Sequence, residues 1–141
     1  MTPDQIKAIQ DSFAKVAPIS EQAAELFYGR LFEIAPSVKP LFRGDMKEQG
    51  RKLMATLAVV VNGLSNLEAI LPAASALAKK HVDYGVKAGD YAPVGAALLW
   101  TLERGLGAHW TADLATAWGT AYGVLSEYMI GEAYGRSAAA E

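Results

Sequence analysis

The sequence predicts one all-α domain, and three observations lead to this prediction. Apolar residues recur at helical spacing near the N-terminus, where Ile6, Ile9 and Phe13 lie on one face of a helix. No segment alternates apolar and polar residues over the length of a strand. Prolines and glycines divide the chain into segments of unequal length, which indicates about six to eight helices rather than a regular four-helix bundle.

Start and stop signals in the first third of the chain predict two helices and a short turn. The first helix begins after the capping hydroxyl of Thr2 and ends at Pro18. The second begins at Ser20 and ends before Pro36. A short helical turn follows Pro36, and a tight turn is expected at residues 43–45.

Four longer helices are expected in the remainder of the chain, over about residues 47–61, 72–82, 93–106 and 111–133. Pro72 and Pro93 are expected to open the second and third of these, because proline is favoured in the first turn of a helix. Residues 137–141 are expected to form a frayed tail. Residues 1–141 are therefore interpreted as a single domain.

Composition excludes several classes of function. Hydrophobic residues make up 52% of the chain and charged residues 20%, with a formal net charge of −2. Nucleic-acid binding is not expected, because there is no basic excess to neutralise phosphates. Cysteine is absent, which excludes disulfides, thiolate metal sites and covalent haem attachment through a C-x-x-C-H motif.

The sequence shows no targeting or membrane segment. No basic patch followed by an apolar run occurs at the N-terminus, so a signal peptide is not expected. The most apolar stretch, residues 57–61, is far too short to cross a bilayer. A cytoplasmic protein without a membrane partner is expected, while nothing in the sequence selects an oligomeric state.

The chain has only two histidines, and they differ in setting. His109 falls between two predicted helices and is interpreted as an exposed corner residue. His81 lies on the apolar side of a helix, where the pattern alone more often indicates a hydrogen-bonded core residue than a ligand. A zinc site needs three or four protein ligands. If His81 binds a metal, haem iron fits best, because the porphyrin supplies the other four nitrogens.

Several spaced motifs extend over most of the chain, from about Ile6 to Gly131. They are Leu26-Phe27-Tyr28 with Leu31-Phe32, Pro36 to Pro40-Leu41-Phe42, Glu48-Gln49 with Leu53, Lys79-Lys80-His81 with Tyr84-Gly85-Val86, Tyr91 with Val94-Gly95, Ala117-Trp118-Gly119 and Ala121-Tyr122-Gly123-Val124. Together they resemble the bacterial single-domain haemoglobins and the globin half of flavohaemoglobins. The resemblance implies a globin fold around one non-covalent haem b per chain, with His81 as the proximal iron ligand.

The resemblance also implies how the haem is held. Nε2 of His81 would bind iron, and the other ring nitrogen would donate to the carbonyl of Leu77 one turn back. Lys80 is placed to meet a haem propionate, with an ordinary exposed lysine as the equal alternative. Phe42 would press its ring against the macrocycle. Burial of apolar surface would hold the haem through three further side chains, Leu53, Val86 and Val94.

Tyr28 and Gln49 carry the functional hypothesis that the resemblance implies. Dioxygen gains negative charge on ferrous iron, so a phenolic O–H and an amide N–H aimed at it favour dioxygen over carbon monoxide and slow its release. Each such bond contributes roughly 1.5–3 kcal/mol. The alternatives are that Tyr28 is a core tyrosine bonded to the backbone and that Gln49 points into solvent.

On the proximal side, Tyr91 matches a family tyrosine that, together with a late glutamate, bonds the proximal histidine. The sequence departs from the family at the glutamate, since Glu132 comes one residue early and Ala133 stands at the expected place. One residue is about 100° of rotation on a helix. Glu132 is therefore expected to face away, which weakens the case for peroxidase-like chemistry.

The sequence leaves three functions open. The first is reversible binding of O2, and also of CO and NO, by a carrier, store or scavenger. The second is an enzyme, such as a nitric oxide dioxygenase or a peroxidase-like protein. It is expected to need a separate reductase, because residues 1–141 contain no segment for flavin and nicotinamide chemistry. The third is a haem-free globin-fold module that acts through protein contacts.

Overall fold

The computed structural model describes residues 2–42 and 44–134. Within them six α-helices and no strands are formed, which confirms the all-α prediction. The helices are α1 Pro3–Val16, α2 Ser20–Ile34, α3 Met46–Asn62, α4 Leu67–Asp83, α5 Tyr91–Leu106 and α6 Ala112–Tyr134. Short 3-10 segments join them. The expected tail at 137–141, and residue 43 of the expected turn, lie outside the described residues.

The first two helices follow their sequence signals closely. The side chain of Thr2 accepts a hydrogen bond from the Gln5 backbone, and the side chain of Gln5 accepts one from the Thr2 backbone. This reciprocal pair satisfies two backbone donors that no helical carbonyl reaches. The second helix begins at Ser20 after a 3-10 turn through Pro18, as predicted.

The predicted start of α4 is wrong, because the helix begins at Leu67 and Pro72 lies inside it. The residues before Pro72 have a reason to be helical. Ile70 is buried, and its side chain fills the space where a Cβ on Gly63 would stand. Packing of this first turn outweighs the one backbone hydrogen bond that a proline cannot donate.

The start of α5 differs by a smaller amount. The helix begins at Tyr91, so Pro93 is its third residue rather than its first. A proline in the first turn loses no helical hydrogen bond, since those N–H groups have no partner within the helix. The side chain of Asp90 accepts a hydrogen bond from the Lys87 backbone at 2.9 Å and closes the preceding turn.

The helices bury two separate apolar clusters. The main cluster joins α1, α2 and α5 to the end of α3 and the start of α6, with Ile9 and Leu31 fully buried. The second cluster lies between α4, the start of α5 and the end of α6, around Ala78 and Met129. Half-buried apolar side chains pack against each cluster.

Packing of α3 against α2 is close and that of α3 against α4 is not. At the first crossing, a Cβ on Gly50 would stand only 2.9 Å from the Cβ of Ala24, so glycine is required for this approach. The axes of α3 and α4 are inclined at 50°. Each packs on other helices and makes at most a marginal contact with the other within the described residues.

No single helix within residues 2–42 and 44–134 has both the length and the apolar character to cross a membrane. Only α3 and α4 taken together as a bent pair satisfy those two criteria, which is weak evidence for a span.

Candidate functional site

His81 lies in the last turn of α4 with its ring half-buried. Its Nδ1 is 3.3 Å from the hydroxyl of Tyr91, and the two rings meet edge to face with centroids 6.1 Å apart. Among the described residues, no group forms a hydrogen bond with the second ring nitrogen, Nε2. The family resemblance implies two partners for Nδ1, and the structure shows the Tyr91 hydroxyl rather than the Leu77 carbonyl.

Electrostatics keep this imidazole available as a ligand. Burial lowers the pKa of His81, because removing the ring from water disfavours its charged form. The neutral ring carries one proton and one lone pair. A proton on Nδ1, shared with the Tyr91 hydroxyl, leaves the lone pair on Nε2. The arrangement thus orients one nitrogen and leaves the other able to bind a metal.

Glu132 does not take part in this contact. Its carboxylate accepts hydrogen bonds from the hydroxyl of Ser75 at 2.8 Å and from that of Tyr128 at 3.3 Å. The Ser75 bond ties α6 to α4 nearly two turns before His81, and the Tyr128 bond lies within α6. The displaced glutamate therefore points elsewhere, as its one-residue offset predicts, while Ala133 is half-buried against the second cluster.

Tyr28, the predicted donor toward the bound gas, is buried in α2 and only 8% exposed. Its hydroxyl donates to the backbone carbonyl of Gln49 at 3.2 Å, which is longer than an ordinary O–H···O bond. Burial raises the pKa of Tyr28 to about 12, so the phenol keeps its proton at neutral pH. The structure thus brings Tyr28 and Gln49 together. The Tyr28 hydroxyl bonds to a backbone carbonyl, which is the alternative that the sequence left open for this tyrosine.

Aromatic rings surround Tyr28 and fix its position. Phe27 and Phe42 meet it edge to face, each with ring centroids 5.2 Å apart, and Phe32 stacks on it at 6.1 Å. Such pairs stabilise a particular ring geometry beyond the burial of area. Phe42 itself is half-buried, so part of its surface remains uncovered by the chain.

The remaining predicted site residues divide between the two clusters. Leu53 and Val94 are half-buried against the main cluster, and Val86 is half-buried against the second. Lys80 is exposed, which suits either of its two interpretations. His109 is also exposed and lines a separate groove of about 470 Å³ between α1 and α6. No direct contact between the Tyr28 and His81 sides is described.

The residue that sequence reasoning missed is Tyr122. It was noted only as part of a motif, yet its hydroxyl donates to the carbonyl of Tyr91 at 2.6 Å. Its partner lies 31 residues away on another helix, so no local spacing reveals the contact. The one sequence signal is Gly95, one turn after Tyr91, because a glycine there leaves room for the Tyr122 ring.

Comparison with known proteins decides the family. The family profile described as Globin matches residues 25–129. This chain belongs to the globin family. The likeness to a solved bacterial globin from Campylobacter jejuni has a TM-score of 0.81 at 27% identity, covering 99% of this chain and 100% of the other.

Curated relatives of this globin include flavohemoproteins. One from Bordetella parapertussis is 33% identical over 122 residues, which are 82% of this chain and 30% of the relative. Another from Rhodopirellula baltica is 30% identical over 129 residues, covering 89% of this chain and 32% of the relative. The chain thus spans about a third of the length of these relatives. As a member of the globin family, it is a haem-binding globin.

The residues present fit a haem. Within the part of the chain that the structure describes, no three His, Cys, Asp or Glu side chains group to hold a metal ion. A single imidazole suffices for iron only when a macrocycle supplies the other ligands. Half-buried apolar side chains packed against each of the two clusters, among them Phe42, Leu53 and Val86, offer the surface that a non-covalent porphyrin needs.

Proposed function

We propose that this globin binds dioxygen reversibly at one non-covalent haem b, held through Nε2 of His81. The haem supplies a ferrous iron at which small diatomic gases bind. The observation that carries the proposal is the state of the His81 ring, with Nδ1 beside the Tyr91 hydroxyl and no hydrogen bond at Nε2 within the described residues. The contact of Nδ1 with Tyr91 fixes the ring direction, and with it the direction of the lone pair on Nε2.

Tyr28 and Gln49 are the proposed donors toward the bound gas. The phenol of Tyr28 keeps its proton because burial raises its pKa to about 12, so it remains a donor over the physiological range. Its hydrogen bond to the Gln49 carbonyl is long, at 3.2 Å. Bound dioxygen, a stronger acceptor because it carries negative charge, would take this hydroxyl from the carbonyl. Two donors at this place would slow release of dioxygen more than that of carbon monoxide.

The haem would be held by burial rather than by charge. Phe42, Leu53 and Val94 present half-covered apolar surface from the main cluster, and Val86 does so from the second. Each Å² of such surface removed from water contributes about 25 cal/mol. Lys80 is exposed beside His81 and is proposed to meet a propionate.

A second candidate is turnover of nitric oxide with electrons from a separate reductase. The flavohemoproteins favour it, because they match this chain over 82% of its length and their name denotes a flavin besides haem. The neighbour of the His81 ring is the Tyr91 phenol and not a carboxylate. A neutral phenol donates less electron density to the imidazole than a carboxylate would, which argues against a peroxidase-like reaction.

The first experiment tests the iron ligand. Substituting His81→Gly is expected to remove most of the Soret absorbance of haemin-loaded protein, and added imidazole is expected to restore it. His109→Ala is the matched control and should bind haem as the wild type does, because it lies in another groove. An unaltered Soret band and unaltered oxygen affinity in the His81→Gly protein would overturn the proposal. A wild-type chain that takes up no haemin would favour the haem-free module.

The second experiment separates binding from turnover. Reduced, oxygenated protein is mixed with nitric oxide, with and without an added flavin reductase and its nicotinamide donor. Consumption of one nitric oxide per haem, unchanged by the reductase, supports a binding protein. Sustained consumption that depends on the reductase makes the dioxygenase the better description.

A further inference from the structure

We propose that a cleft between α2 and α3 takes up small apolar gases and passes them to the Tyr28 side of the haem site. The inference rests on the proposed function and adds to it a place where dioxygen collects before it reaches the iron. The cleft has a volume of about 290 Å³ and shares no lining residue with the groove at His109.

The floor of the cleft is apolar. Its buried and half-buried lining residues are Ala24, Tyr28, Phe32, Gly50 and Met54. The hydroxyl of Tyr28 already donates to the carbonyl of Gln49, and no buried side-chain nitrogen or oxygen among the described residues lacks a hydrogen-bond partner. An ordered water needs roughly two to four polar partners. Because the floor offers so few, it favours an apolar gas over water.

Tyr28 joins this cleft to the haem site. Its ring lines the cleft, while its hydroxyl lies at the backbone of Gln49, the second proposed donor. The hydrogen bond between them is long, at 3.2 Å, so it opposes a small tilt of the ring only weakly. A gas molecule on the floor would therefore touch the same ring whose hydroxyl is proposed to hold it at the iron.

The mouth of the cleft is open and carries charge on both rims. Glu25 is exposed on the α2 rim, and Arg51 is exposed on the α3 rim. Within the described residues no ion pair joins the two rims, since Arg51 pairs with Glu48 on its own helix at 3.0 Å. Gly29 lies on the α2 rim, and a Cβ added to it would meet nothing within 4 Å. A larger side chain at Gly29 would thus narrow the mouth without a clash at its Cβ.

Xenon tests uptake by the cleft independently of iron chemistry. In the haem-loaded carbonmonoxy protein, the methyl NMR signals of Met46 and Met54, which both line the cleft, are expected to shift with dissolved xenon until the shift saturates. An apolar cavity of about 150 Å³ is already large enough to bind xenon. Met129 is buried in the second cluster, so its methyl signal is the internal control and should not move. Absence of a saturable shift at both Met46 and Met54 would overturn the inference.

Obstruction of the cleft tests the passage of gas. Gly29→Leu at the mouth and Met54→Trp on the floor are each expected to slow association and release of dioxygen by about three- to tenfold, because entry then waits for a side chain to move. The equilibrium affinity should stay at the wild-type value, since a higher barrier between two states changes neither state. Flash photolysis measures association, and stopped-flow mixing measures release.

Gly123→Leu is the matched control for Gly29→Leu. It adds the same side chain to a helical glycine whose Cβ would also meet nothing within 4 Å, but on α6 and away from the cleft. Both rates should therefore remain those of the wild type. Equal slowing in Gly123→Leu and Gly29→Leu would show a general effect of added bulk and would overturn the inference.

The remaining outcomes distinguish this inference from the proposed function. Unchanged rates in both Gly29→Leu and Met54→Trp would overturn the passage of gas through the cleft while leaving Tyr28 and His81 in their proposed roles. A faster release with weaker affinity would show that the variants disturb the Tyr28 hydroxyl itself, and this would also overturn the inference. A wild-type chain that takes up no haemin would overturn the proposed function and the passage to iron together, whereas xenon shifts in that chain would still support gas uptake by the cleft.

Discussion

On the side of Tyr28 the proposed haem site is built from packed rings, whereas on the side of His81 it is built from hydrogen bonds between residues of three helices. Tyr28 touches three phenylalanines and its hydroxyl bond is long. His81 touches the Tyr91 hydroxyl, and Tyr91 is in turn held by Tyr122. Shape therefore fixes the first side, and a series of polar contacts through three helices fixes the second.

This difference predicts which substitutions damage each side. Packed interiors tolerate added volume poorly, so the α2–α3 side should be most sensitive to steric change. Polar contacts contribute less to stability but direct a particular atom, so the His81 side should respond to loss of single hydroxyl groups in its spectrum rather than in its stability.

The largest expected effect is on the packed side. Gly50→Val is expected to destabilise the protein by about 2–3 kcal/mol, because even a Cβ at this position stands 2.9 Å from that of Ala24. Urea denaturation measures the loss. Gly29→Val is the matched control in the same helix pair, since nothing lies within 4 Å of its added Cβ.

A compensating pair sharpens this prediction. Gly50→Ala combined with Ala24→Gly moves one methyl group from α2 to α3 and is expected to restore most of the stability that Gly50→Ala loses. A Gly50→Val protein as stable as the Gly29→Val control would show that the helices separate freely, and the packed side would then not be fixed by shape.

The next effect concerns the hydroxyl within the ring cluster. Tyr28→Phe is expected to speed dioxygen release at least tenfold while barely changing stability, since a bond to a charged partner contributes about 1.5–3 kcal/mol and the ring packing is kept. Stopped-flow dissociation measures the rate. Tyr84→Phe is the control, because Tyr84 is 58% exposed, and this variant should release dioxygen as the wild type does. An unchanged rate in Tyr28→Phe would mean that the hydroxyl serves only the Gln49 carbonyl.

The same contrast explains what the sequence could predict. Helix limits came mostly from local signals, so the capping pair at Thr2 and the start at Ser20 are as expected. The start of α4 was missed, because burial of Ile70 against Gly63 is a tertiary effect that overrides the proline signal at Pro72. Local rules work where neighbours along the chain decide the structure.

The site follows the same rule. His81 could be suggested from its setting, but only the motifs shared with a known family made it the preferred iron ligand. The rings around Tyr28 could be anticipated, since Phe27 and Phe32 lie on the same helix. The Tyr122 contact could not, because its partners on α5 come close only after α5 and α6 have packed.

The smallest effect concerns ionisation of two phenols, the buried Tyr28 and the half-buried Tyr122, and it compares how well each hydroxyl is shielded from water. Burial raises the pKa of Tyr28 to about 12, and burial together with the nearby Tyr91 raises that of Tyr122 above its usual range. An unfolded tyrosine ionises near pH 10. Above that pH the unfolded chain binds fewer protons than the folded one, so the free energy of unfolding falls as pH rises.

This contribution to stability is complete below about pH 10 and is lost progressively as pH rises toward 12. At pH 10.5 the loss from each phenol is expected to be under about 1 kcal/mol. Denaturant midpoints at pH 8 and 10.5 measure it, and Tyr28→Phe and Tyr122→Phe should each reduce the difference, while Tyr84→Phe should not. A reduction with Tyr28→Phe alone would mean that water reaches the Tyr122 hydroxyl and its bond to the Tyr91 carbonyl. The pH dependence would then separate the two sides of the site as sharply as the steric substitutions do.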